Sequence, residues 1–195
     1  GLPAEIRVEF MPEPVAFPQF PGFAFGDARK KFKNVQQAAG KKALDDSGQA
    51  DFTLQAAPEW RPPAALKALI LGAVMEVGGR SVTAYASRPV DVYPYYIGLK
   101  RGAGEICVGK EHAFEAVAIE PAGTVTAAVA RLKLTVEKLT WTTVLKKGPN
   151  DSYSYCSEQQ AARVLAEPLV LKDGKASIAF KPASGGEYRL ALSDP

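Results

Sequence analysis

The sequence predicts an all-β protein built as two antiparallel sandwiches in tandem. Three observations carry that expectation. Apolar residues recur with a period of two rather than 3.6, turn signals separate the alternating runs, and a proline-bearing junction divides the 195 residues into near-equal halves. The hydrophobic fraction of 47% and charged fraction of 23% suit a packed globular chain and exclude a disordered tail. The longest apolar run, residues 68–77, contains Gly72 and Glu76 and falls well short of the ~20 residues of a membrane-spanning helix.

The first run sets Ile6, Val8 and Phe10 against Glu5, Arg7 and Glu9, the pattern of a strand with one buried face. Residues 11–26 hold four prolines and four phenylalanines. Proline has no N–H to give a central ladder, so this stretch is expected to be an extended loop or edge strand pinned by its rings. The phenylalanines are read as capping a sandwich end, with an aromatic binding platform as the functional alternative. From Asp27 to Gly40 two readings stay open. Ala28, Phe32, Val35 and Ala39 fit a short amphipathic helix with Asp27 as cap and glycine as stop, while strand-like flanks and short length favour a strand. Alternation returns at Ala50, Phe52 and Leu54, then at Val82, Ala84 and Ala86.

The junction is Arg88-Pro89-Val90-Asp91-Val92-Tyr93-Pro94, where two prolines stiffen the chain before a new apolar run at Tyr95. The expected domains are 1–93 and 94–195, each of immunoglobulin-like size. In the second, alternating runs fall at Leu132, Leu134 and Val136, at Ala176, Ile178 and Phe180, and at Tyr188, Leu190 and Leu192. Turns are predicted at Asp46-Ser47-Gly48, Val77-Gly78-Gly79, Glu120-Pro121-Ala122-Gly123, Lys172-Asp173-Gly174 and Ser184-Gly185-Gly186. A weak internal echo, Ser47-Gly48-Gln49-Ala50 and Asp173-Gly174-Lys175-Ala176, suits two related modules.

Charge excludes one partner class. There are 24 Lys plus Arg against 21 Asp plus Glu, with 11 basic and 10 acidic residues up to Ile97 and 13 and 11 beyond it. Neither half is a basic stripe, so no nucleic-acid partner is expected. With one histidine, His112, and two cysteines, Cys107 and Cys156, the usual nitrogen and sulfur ligands of zinc are lacking. The cysteines lie 49 positions apart in one half. In an oxidising compartment a disulfide would close that loop, worth ~4 kcal/mol on the chain-entropy model; the alternative is two buried thiols.

Six patterns look chemical, and each also has a structural reading. Gly104-Glu-Ile-Cys-Val-Gly109-Lys110 approaches a phosphate loop, but Glu111 stands where a hydroxyl should meet magnesium, and a strand-like run from His112 replaces the helix. Cys156-Ser157-Glu158-Gln159 spells the Cys-x-Glu-Gln of an internal thioester, yet it follows a polar stretch, Asn150 to Tyr155, expected to be a loop open to water. His112 is read as a structural residue opening a strand rather than a triad member. Asp45-Asp46 is read as turn chemistry rather than paired carboxylates. Asn150-Asp151-Ser152 matches a glycosylation acceptor and would be only a loop in a bacterial chain. Trp60, in a constrained Pro-rich turn, and Trp141, in a strand-like run over 131–146, are both read as sandwich packing, with sugar stacking as the alternative.

In order along the chain, these pieces resemble bacterial alpha-2-macroglobulins. Gly1-Leu2-Pro3-Ala4-Glu5, Phe20-Pro21-Gly22-Phe23-Ala24-Phe25-Gly26-Asp27, Asp45-Asp46-Ser47-Gly48-Gln49-Ala50 and Glu76-Val77-Gly78-Gly79-Arg80-Ser81-Val82 are similar to one macroglobulin module. Tyr96-Ile97-Gly98-Leu99-Lys100, Phe114 to Gly123 and Gly186 to Pro195 are similar to the next. The resemblance implies a fragment of a larger periplasmic protein, lipid-anchored to the inner membrane, that traps proteases after they cut an exposed bait segment. It places these modules just before the bait-region domain. Family modules have seven strands, so a first strand before Gly1 and a last strand after Pro195 are expected to be missing. A start without Met predicts that a preceding segment was removed.

The resemblance implies partners in the other domains of the full-length chain and in target proteases met through parts outside this fragment. It carries over no catalytic, cofactor-binding or metal residue. The expected protein is therefore not an enzyme, uses no cofactor and makes no direct membrane insertion through this segment. Two other uses of the fold are a cell-surface adhesin with immunoglobulin-like modules and an accessory sandwich of a carbohydrate-active enzyme.

Overall fold

The computed structural model describes residues 1–194, and the side chain of Asn150, the candidate glycosylation position, lies outside the description. Eleven strands follow one another: β1 (Pro3–Glu13), β2 (Ala24–Phe25), β3 (Val35–Ala43), β4 (Ala65–Met75), β5 (Ser81–Val90), β6 (Tyr96–Arg101), β7 (His112–Ile119), β8 (Arg131–Lys147), β9 (Tyr153–Val170), β10 (Lys175–Phe180) and β11 (Glu187–Ser193). Among the described residues the only helical element is a 3-10 turn, Pro149–Asp151, and no helix is long and apolar enough to cross a membrane. The chain divides into two compact units, one of Gly1–Pro21 with Phe25–Tyr96, the other of Gly22–Ala24 with Ile97–Pro195.

The first unit is built on one antiparallel sheet in the order β3-β1-β4-β5. The period-two pattern of β1 turns Val8 and Phe10 inward against Leu66 and Ala68 of β4, with Ile6 and Ile70 beside them. Segments without regular structure close this core, laying Phe32, Leu54 and Trp60 over it. Trp60 meets Phe10 edge-on at 5.0 Å and Phe32 at 5.9 Å, the packing role expected of it.

Three expectations fail here, each for a physical reason. The helical alternative over 27–40 is excluded, because β3 occupies 35–43 and pairs with β1 from Phe10↔Val35 to Pro3↔Ala43. Val35 and Ala39 are four apart, a spacing that shares a face in a helix and in a strand alike. The alternation at Ala50, Phe52 and Leu54 forms no strand, although Phe52 and Leu54 are half-buried and Asp51 and Thr53 exposed. An extended backbone suffices for that pattern; a strand also needs a ladder partner. Val82, Ala84 and Ala86 do lie on a strand, but residues 81–89 of β5 are all exposed, so neither face of it is covered.

Proline placement follows the hydrogen-bond ladders. Pro12 lies past Phe10, the last β1 residue paired with β3; Pro89 is on edge strand β5, and Pro168 is on β9, the edge of its own sheet. Each sits where a missing N–H need not break a two-sided ladder. In the phenylalanine-rich stretch, Phe17 packs edge-on against Phe25 at 4.9 Å and 6.1 Å from Tyr96, so the rings do pin an irregular segment.

The second unit is a sandwich of two antiparallel sheets, β10-β7-β6-β2 and β11-β8-β9. Phe114, Ala116, Ile178 and Phe180 of the first sheet face Leu134, Val136, Leu190 and Leu192 of the second. The β9–β10 turn holds Asp173 at φ 49° and Gly174 at φ 73°, the two positive angles of a type I′ turn. Gly174 is obligatory, because a Cβ there would collide with the Thr126 carbonyl and lie 2.7 Å from Val125 Cγ1. β8 and β9 pair along their whole length, from Arg131↔Val170 to Lys147↔Tyr153.

Candidate functional site

A shallow cavity of about 230 Å³ lies on the outer face of the first sheet, lined by Glu5, Arg7 and Lys41 over Leu71, Ala73 and Met75. Its one carboxylate is shared by two cations. Arg7 Nε lies 2.7 Å from Glu5 Oε1 and Lys41 Nζ 3.6 Å from Glu5 Oε2. The Arg7 hydrogen bond, helped by both cations against desolvation, holds the Glu5 carboxyl below its usual range, leaving it ionised and spoken for rather than poised as a base. No group of three or more His, Cys, Asp or Glu side chains among the described residues could hold a metal.

The phosphate-loop pattern becomes the β6–β7 connection. The Gly109 amide donates to the Pro182 carbonyl at 2.9 Å, and strand β7 follows, so this part of the loop is tied into the fold rather than opened toward an anion. His112 closes the same loop: its Nε2 lies 3.0 Å from the Cys107 amide nitrogen and 2.9 Å from the Cys107 carbonyl oxygen. Either tautomer makes one of these bonds, which is the structural role expected of this residue.

The thioester pattern is dismantled by strand geometry. Only the start of the stretch before it is the expected loop, since β9 begins at Tyr153 and Cys156 already pairs with Val144. Side chains alternate along a strand, so Cys156 and Glu158 share one face while Gln159 points to the other. A bond between the Cys156 sulfur and the Gln159 carbonyl cannot form there. Glu158 serves instead as partner of Lys146, 2.6 Å away. Cys107 and Cys156 are both half-buried free thiols.

Asp45 is turn chemistry, as expected. Its Oδ1 accepts from the Gln49 amide at 2.8 Å, the Ser47 amide at 2.9 Å and Ser47 Oγ at 2.7 Å. Trp141 corrects the packing expectation. It is 60% exposed, and its Nε1 donates to Glu187 Oε2 at 3.2 Å. Leu139, two residues before it on the same face, is buried, so Trp141 is bare because it lies past Leu139, the last β8 residue paired with β11. Sequence reasoning also missed the Arg189–Glu137 pair, at 2.9 Å from Nε and 2.5 Å from Nη2, because its 52-residue separation carries no local signal.

Residues 1–91 match the family model described as the bacterial alpha-2-macroglobulin MG5 domain, and residues 98–195 match bacterial macroglobulin domain 6. No curated protein sequence matches the chain. Among solved structures it is similar to native Escherichia coli alpha-2-macroglobulin, at 21% identity and TM-score 0.63, over 100% of this chain and 13% of that one. Salmonella alpha-2-macroglobulin reacted with methylamine matches at 19% and 0.62, over 100% and 14%. Escherichia coli alpha-2-macroglobulin activated by porcine elastase matches at 23% and 0.61, over 100% and 18%. The chain thus spans less than a fifth of the length of these relatives. Carrying a fifth and a sixth macroglobulin domain in series, it belongs to the bacterial alpha-2-macroglobulin family.

Proposed function

We propose that this chain is inert framework within a longer protease-trapping inhibitor, contributing stiffness rather than chemistry. The observation that carries the reading is the unbroken order of the two family domains, MG5 then MG6, across the length of the chain. A sandwich is a rigid body around its own core, so movement concentrates at junctions and a cut made elsewhere can become closure. The division into modules 1–93 and 94–195 is supported by the two compact units and by the extents of the two family matches.

On this reading the chain performs no catalysis, and proteases are met by parts of the polypeptide outside it. The compartment we propose is the periplasm, with a lipid outside residues 1–195 holding the parent at the inner membrane. Cys107 and Cys156, unbonded in this structure, are the pair we propose to close a disulfide in that oxidising compartment, read as an intact-mass difference of about 2 Da with and without reductant.

The test is inhibition of an elastase-type protease. The natural full-length polypeptide is expected to slow digestion of a large protein substrate far more than cleavage of a small chromogenic peptide. The 195-residue chain alone is expected to slow neither. Inhibition by the chain alone overturns the framework role.

A further inference from the structure

The β8–β9 hairpin is longer than the sandwich it belongs to. β11 covers β8 only from Lys133 to Leu139, so Thr140–Lys147 and Tyr153–Gln160 form a two-stranded ribbon with no third strand among the described residues. Such ribbons are marginally stable in water unless something packs on them. The ribbon's two faces differ sharply. Register places Trp141 opposite Gln159, Leu145 opposite Tyr155 and Lys147 opposite Tyr153 on one face. There Trp141, Leu145, Tyr153 and Tyr155 are exposed by 60%, 55%, 61% and 80%. On this face Lys147 is paired with Asp151, and the Glu187 carboxylate at its base accepts from Trp141 Nε1. The opposite face carries Thr142, Val144, Cys156 and the Lys146–Glu158 ion pair.

We infer that the aromatic face of this ribbon is a docking arm for the apolar sheet face of a further module of the same polypeptide, outside residues 1–195. A face rich in Trp and Tyr, with its lysine already paired, matches the chemistry of protein interfaces, not that of a polyanion. Its size selects the occupant. Four large side chains fall far short of the roughly 800 Å² per partner of a stable bimolecular interface. Within one polypeptide, effective concentrations of about a millimolar let the same small patch stay closed. The chain spans 13–18% of its solved relatives, so members of this family hold ample further sequence to supply that module. The inference rests on the reading of this chain as part of a longer macroglobulin, and it adds where that longer protein grips these modules.

Hydrogen exchange on the natural full-length polypeptide tests it. Outward-facing amides of residues 153–160 are expected to exchange at least about tenfold more slowly there than in the 195-residue chain. The exposed double substitution Trp141→Ser, Tyr155→Ser in the full-length protein is expected to abolish that protection while leaving residues 132–136 unchanged. Equal exchange in the two lengths overturns the inference. Protection that arises in the 195-residue chain as its concentration is raised assigns the face to a second copy and also overturns it. A full-length protein that inhibits no protease yet protects the ribbon upholds the docking arm and sinks only the protease-trap reading.

Discussion

The Tyr96 hydroxyl donates a hydrogen bond to Asp91 Oδ1 at 2.5 Å. The bond joins the first residue of β6 to the segment that follows β5, and Tyr93 beside it donates to the Pro62 carbonyl at 2.7 Å. Both bonds lie within the first unit, so two phenols tie residues 91–96 into it. Burial, then the Asp91 hydrogen bond and charge, push the Tyr96 phenol well above its ordinary value of 10.0; burial does the same to Tyr93.

Tyr96→Phe is expected to cost about 1 kcal/mol in chemical denaturation, because it removes the hydrogen bond to Asp91, whose exposed carboxylate water then solvates. The pH dependence has a definite sign. A phenol whose folded pKa is raised stabilises fully below pH 10 and loses that contribution as pH rises from 10 toward the folded value. Wild-type stability should therefore fall more steeply above pH 10 than that of Tyr96→Phe.

Asp45→Ala is expected to lower the melting temperature at pH 7 by releasing the Gln49 and Ser47 donors. Those hydrogen bonds, the Gln49 amide first, hold the Asp45 carboxyl below its ordinary value of 3.8. A depressed carboxyl stabilises above its unfolded value and loses that contribution as pH falls through the folded one. The gap in melting temperature between wild type and variant should shrink as pH drops below 4.

Two leucines on β8 should separate cleanly. Leu134 is 1% exposed between the two sheets of the second unit, and Leu134→Ala is expected to cost about 3 kcal/mol by leaving a cavity. Leu145, eleven residues on, is exposed on the unsupported ribbon. Leu145→Ala in the 195-residue chain is expected to change stability by less than about 0.5 kcal/mol. Urea unfolding of both variants reads the difference.

Methylamine should leave the chain's intact mass unchanged. Cys156 and Gln159 point to opposite faces of β9, so no acyl-thioester is present for the amine to open. Added mass at Gln159 would show that the strand assignment is wrong.

Local chemistry was legible wherever the interaction is local. The alternation of Ile6, Val8 and Phe10 and of Leu132, Leu134 and Val136 specifies an inner face through a period that only extended backbone satisfies. Asp45-Asp46-Ser47-Gly48 and Lys172-Asp173-Gly174 specify turns through side-chain acceptors and positive φ. The order of those pieces also carried the family. What the linear pattern could not decide is which extended segments find a partner. Phe52 and Leu54 alternate without a ladder, and Val82, Ala84 and Ala86 form a strand with no buried face, because pairing and burial depend on neighbours dozens of residues away. The long hairpin shows the same limit. Trp141 and Leu134 share one strand, yet the fold buries one and bares the other, since the short reach of β11, which stops at Leu139, is a property of the assembled sheets.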